Sequence, residues 1–91
     1  MAIVHIPTPM RDLTQGESEV VVEGGSLRQV IEEIDRRYSG FFDRCVSGSY
    51  LTPGLAVSID GEMSTLGLFA RVGPHSEVHF VPAIAGGVDP S

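Results

Sequence analysis

Leu27, Val30, Ile31, Ile34 and Tyr38 recur at steps of three and four residues, so the stretch SLRQVIEEIDRRYSG at 26–40 predicts a helix with one apolar face. Ser26 followed three positions later by Gln29 forms a capping-box start, and Gly40 after Arg36-Arg37 supplies a stop. Arg28, Glu32, Glu33, Asp35 and Arg36 fall mostly on the opposite, solvated face. On either side the pattern changes to a period of two. AIVHI (2–6) alternates and ends at Pro7, and EVVVE (19–23) is bounded by Gly24-Gly25, so these are two strands joined by the turn-rich PTPMRDLTQGE at 7–17. LAVSI (55–59) predicts a third strand, with Asp60-Gly61 as a tight turn into a short fourth near Glu62-Met63. SEVHFVP (76–82) sets Val78, Phe80 and Pro82 against Glu77, His79 and Val81, the pattern of a half-buried strand. FFDRCVSGSYLTPG (41–54) predicts a helical turn at 41–46 followed by a loop, and STLGLFARVG (64–73) supports no single assignment.

A hairpin, a main helix and two or three further strands, the last beside the first in parallel, make an α+β architecture of the β-grasp (ubiquitin-like) kind. The sheet is expected to be mixed and four- to five-stranded. Ninety-one residues suit one domain with a single core.

Composition narrows the partners. Six basic against twelve acidic residues give a net charge of -6, which opposes nucleic acid and anionic membranes. One cysteine allows no internal disulfide, and neither a signal-peptide pattern nor a membrane-length apolar run is visible, so a cytoplasmic location is expected. All six basic residues are arginine. A coding sequence rich in G and C accounts for that by itself, although the absence of lysine acquires a second meaning below.

Catalytic groups are sparse. His5, His75 and His79 are scattered; His75 and His79 are four apart, but along a strand that spans about 13 Å, so no metal site is predicted. Arg44 beside Cys45 would lower a thiol pKa, whereas an apolar setting would leave it buried and inert. The glycines fall at turns, and no phosphate loop exists without a lysine to complete it. No enzyme active site and no bound cofactor are expected.

The remaining signal is FVPAIAGGVDPS at 80–91. A strand, then Pro82-Ala83-Ile84-Ala85-Gly86-Gly87, resembles the carboxyl tail of the ThiS/MoaD sulfur-carrier family of ubiquitin-like proteins. IPTPMR after the first strand, GGSLRQVIEEI opening the helix, YSG closing it and the Asp60-Gly61 turn are similar to the branch of carriers used in cysteine biosynthesis. The resemblance implies a β-grasp domain at 1–82, a flexible sulfur-carrying tail at 83–87 and an extension at 88–91 removed by proteolysis. It also implies that an E1-like enzyme uses ATP to adenylate the Gly87 carboxylate, which a sulfur donor converts to a thiocarboxylate for a sulfur-accepting biosynthetic enzyme. Gly86 would grant access and Pro82 to Ala85 would guide the tail.

The physical logic agrees. Glycine lacks a Cβ and enters narrow channels, and five extended residues reach about 17 Å from the domain. Here, however, the Gly87 carboxyl is held in a peptide bond to Val88, so activation requires a cut between them. By resemblance, a JAMM-type zinc metalloprotease makes it. An activated glycyl ester is open to attack by amines, so a lysine-free carrier cannot acylate its own side chains. Leu68, Phe69 and Val81 are candidates for an apolar partner surface, with core packing as the competing role for each. A protein modifier, the small subunit of a molybdopterin synthase and a plain interaction domain stay open as alternatives. So does the pathway, cysteine or a sulfur-containing metabolite.

Overall fold

The computed structural model describes residues 1–82. The strands are β1 (Ala2–His5), β2 (Glu19–Val22), β3 (Val46–Ser47), β4 (Tyr50–Leu51), β5 (Ala56–Ile59), β6 (Glu62–Met63) and β7 (Glu77–Val81); the helices are α1 (Leu27–Arg37) and α2 (Phe41–Cys45). Five strands form one sheet in the order β2-β1-β7-β5-β6, with β1 and β7 parallel. This is the expected β-grasp.

Alternation decides which face of the sheet is covered. Ala2, Val4 and Ile6, Val20 and Val22, Val57, and Val78 and Phe80 are buried, and they meet Leu27, Val30, Ile31 and Ile34 of α1 in one core. Each of the Val, Leu, Ile and Phe side chains contributes about 1.5–3 kcal/mol when fully buried. Phe41 from α2 packs edge-on against Phe80, ring centroids 5.8 Å apart. The other face, carrying Glu19, Val21, Ile3, His5, Glu77 and His79, is left open.

The capping box is built as expected, with the Ser26 hydroxyl accepting the Gln29 N–H at 3.3 Å and the Gln29 side chain accepting the Gly25 N–H at 2.8 Å. Segment 70–72 holds this end through an isolated bridge between Arg71 and Ser26, the Leu27 N–H donating to the Ala70 carbonyl at 2.9 Å and the Val72 N–H to the Gly25 carbonyl at 3.1 Å. α1 stops at Arg37, three residues before Gly40, because Gly40 turns the chain at φ 102° into α2. Asp35 joins the two helices, accepting the N–H groups of Gly40 at 3.1 Å and Phe42 at 2.9 Å. The sequence pattern puts Asp35 on a merely solvated face; it caps the next helix.

Two segments differ from expectation. The connection at 7–17 contains a 3₁₀ helix, Thr8–Thr14, fixed by the buried Thr14 hydroxyl donating to the Glu17 carbonyl at 2.8 Å. The expected loop after α2 is a small hairpin in which Val46 pairs with Leu51 and Ser47 with Tyr50 around Gly48-Ser49. Gly48-Ser49 is itself a two-residue hairpin signal, hidden by strands too short to show alternation.

Candidate functional site

β7 is the middle strand of the sheet, bonded to β1 on one side and β5 on the other, and it carries the chain toward Gly86-Gly87. Its entry is locked. The Asp60 carboxylate accepts the Ser76 hydroxyl at 2.8 Å and the Glu77 N–H at 2.9 Å, while the Ser76 oxygen accepts the Gly73 N–H at 2.8 Å. Those bonds hold the Asp60 carboxyl below the usual carboxylate range, the Glu77 amide being the larger cause and the Ser76 hydroxyl the smaller. Asp60 and Gly61 both have positive φ, 53° and 86°, as a two-residue hairpin turn between β5 and β6 requires.

The strand's exit is set by chemistry in the backbone. Val81 pairs with Ala56, and Pro82, with no N–H to donate, ends the ladder. Pro82 is half-buried. The other expected tail residues, Ala83, Ile84, Ala85, Gly86 and Gly87, and the junction with Val88, lie outside the described residues.

The three candidates for a partner surface differ in exposure. Val81 is half-buried and Phe69 is 80% exposed, but Leu68 is 4% exposed and belongs to the core. The reason is the 3₁₀ helix at Gly67–Phe69, packed against α1, which turns consecutive side chains to opposite sides. Residues three apart share a face in such a helix, so Leu66, 62% exposed, accompanies Phe69 instead.

Cys45 resolves toward the inert reading. It is fully buried, and burial pushes its thiol up to about 12 against the weaker opposing pull of the Arg44 guanidinium. The histidines are rearranged relative to the spacing argument. His75 sits in the turn before β7, whereas the parallel register sets His5 directly beside His79. Two strands far apart in sequence make that pair, and no local spacing announces it.

Comparison with known proteins follows the same outline. The ThiS family model matches residues 4–87. The sulfur carrier protein CysO of Mycobacterium tuberculosis is 31% identical over 91 aligned positions, covering 92% of this chain and 96% of the relative. The crystal structure of the Amycolatopsis orientalis BexX/CysO complex contains a chain that superposes with a TM-score of 0.88 at 30% identity, over 96% of this chain and 100% of the other. Crystalline Mycobacterium tuberculosis CysO superposes with a TM-score of 0.83 at 27% identity, over 92% and 100% of the two chains. These relatives are carriers by name, and among the described residues no helix is long and apolar enough to cross a membrane. With its ubiquitin-like sheet, its diglycine after the central strand and its match to sulfur carriers along most of its length, the chain belongs to the ThiS family.

Proposed function

We propose that this protein carries sulfur as a thiocarboxylate on Gly87. Hydrolysis of the Gly87–Val88 bond adds water, releases the segment that begins at Val88 and leaves a free glycyl carboxylate. That carboxylate is a poor electrophile at neutral pH. Transfer to the α-phosphate of ATP by an E1-like enzyme, with loss of pyrophosphate, gives an acyl adenylate, and a sulfur donor displaces AMP to leave the thiocarboxylate. A JAMM-type metalloprotease is the processing partner, and a biosynthetic enzyme making cysteine or a sulfur-containing metabolite is the acceptor. The carrier itself supplies no catalysis, and the ATP is used by the activating enzyme.

The single observation that carries this reading is that the family match ends at residue 87, the second glycine, four residues before Ser91. Three others support it. A central strand bonded on both sides gives the tail a firm root. The lysine-free sequence protects the activated glycine from the protein's own side chains. A relative is known in complex with a second protein, BexX, which supports docking of the folded body on a partner.

The test is the intact mass of the protein recovered from its native cells. The expected species ends at Gly87, in part with one carboxyl oxygen replaced by sulfur. Recovery of only the chain to Ser91 from cells with the pathway active would overturn the proposal.

A further inference from the structure

The open face of the sheet holds a second cluster of chemistry. One row of residues crosses all five strands: Glu19 pairs with His5, His5 with His79, His79 with Ser58 and Ser58 with Met63. The His5 and His79 rings stack with centroids 4.1 Å apart and planes 7° from parallel. Glu77, two residues before His79 and therefore on the same face, reaches into the row. Its Oε1 lies 3.1 Å from His5 Nε2 and 4.0 Å from His79 Nε2. On the far side of His5, Nδ1 is 3.7 Å from Glu19 Oε2.

Both nitrogens of His5 face carboxylates, Glu77 at hydrogen-bond distance and Glu19 beyond it. With the imidazole proton on Nε2 the Glu77 contact is an ordinary hydrogen bond; with the proton on Nδ1, the Nε2 lone pair and the Glu77 oxygen converge on one point, where a metal cation would also engage His79.

We propose that His5, Glu77 and His79 form a binding site for a divalent cation of the zinc class, with Glu19 orienting His5 from behind. One ligand atom from each of the three lies within 4.8 Å of the others. Two imidazole nitrogens and a carboxylate oxygen are a donor set that zinc accepts, with a fourth position left for water. The nitrogen ligands disfavour magnesium and calcium, which prefer oxygen. Glu19, 3.7 Å from Nδ1, is placed to close in as the outer partner that metal-bound histidines ordinarily have.

Closure needs a defined movement. Metal–ligand distances near 2.0–2.1 Å bring tetrahedral donors to about 3.4 Å from each other, so the widest gap must shrink by roughly 1.4 Å. His79 and Glu77 are about half exposed and free to make it. Parallel rings aim their lone pairs in parallel, so His79 must tilt out of the stack to share a metal with His5. Arg11 lines an open groove of ≈380 Å³ together with His5, Glu19 and His79, and its Nε–H is committed to the Ile6 carbonyl at 3.0 Å. His79 stands three residues before Pro82, and the site does not depend on the sulfur-carrier reading.

The experiment is titration of the tag-free, metal-free full chain with zinc chloride, followed by calorimetry and by NMR of the three imidazoles. Saturable one-to-one binding is expected, with His5 and His79 signals moving, their mutual ring-current shift falling and His75 unmoved. His79→Gln and Glu77→Gln should each weaken binding at least about tenfold, and Glu19→Gln about tenfold, while each variant keeps the wild-type circular dichroism. Three results would overturn the proposal: no saturable binding, unchanged affinity in His79→Gln, or His5 found doubly protonated and unperturbed by zinc.

Discussion

Asp60 and Glu77 are tied across the sheet by a hydrogen bond of 2.9 Å from the Glu77 backbone N–H to the Asp60 carboxylate. The bond fastens a hairpin turn to the first residue of the strand that leads to the tail. Because it lowers the carboxyl's pKa in the folded protein, the folded state holds that proton more weakly than the unfolded chain does. The stabilisation is therefore complete above the ordinary aspartate value near 3.9, and is lost as pH falls through the lower folded value. Asn tolerates the positive φ at this position, so Asp60→Asn removes the charge and keeps the turn. Urea denaturation at a series of pH values should show wild type more stable at neutral pH, with the gap closing in acid. A gap independent of pH would refute the assignment.

Gly24 is close against the start of α1. A Cβ there would lie 2.9 Å from the Val30 nitrogen and 3.2 Å from the Gln29 carbonyl carbon, both backbone atoms that cannot move aside without shifting the helix. Gly24→Ala should cost about 1–3 kcal/mol as an overpacking change. At Gly25 the nearest atom is the Gln29 Oε1 at 3.5 Å, an ordinary contact, so Gly25→Ala should stay within about 0.5 kcal/mol of wild type. Thermal denaturation of the two variants side by side checks the contrast, which equal losses would erase.

Cys45 should be silent in the folded protein. With its thiol at about 12, almost none is thiolate at neutral pH, and burial blocks access as well. A thiol-specific chromophoric reagent should react at least about a hundredfold faster in denaturant than in native buffer. Rapid native labelling would show that the packing around α2 opens readily.

What the sequence makes legible is local. The α1 face, the Ser26–Gln29 cap and the Asp60-Gly61 turn follow from periodicity and backbone preference within a few residues, and all three are present. What stays hidden is tertiary. The stacking of His5 on His79 depends on parallel register between distant strands, and Asp35 becomes a cap only once α2 packs beside α1. Leu68 and Phe69 are adjacent in a stretch with no clear period, so only the turn of the 3₁₀ helix separates the buried one from the exposed one. Of the tail, the described residues reach only Pro82, and the family match supplies its significance.

That separation gives the sharpest functional contrast. Leu68→Ala opens a cavity beneath α1 and should destabilise the fold by about 2–5 kcal/mol. Phe69→Ala removes an exposed ring and should leave stability within about 0.5 kcal/mol. If Phe69 and Leu66 form an apolar anchor for the activating enzyme, Phe69→Ala should weaken that complex by more than about 1 kcal/mol, roughly fivefold or more in Kd. The measurement is the affinity of the proposed E1-like partner for wild type and for both variants, made at a temperature where each is folded. Loss of affinity in Phe69→Ala with an unchanged melting curve would separate binding from folding, since a residue acting only through the core must move both. Wild-type affinity in Phe69→Ala would exclude Phe69 from the contact and leave Val81, beside Pro82, as the remaining one of the three residues singled out from the sequence.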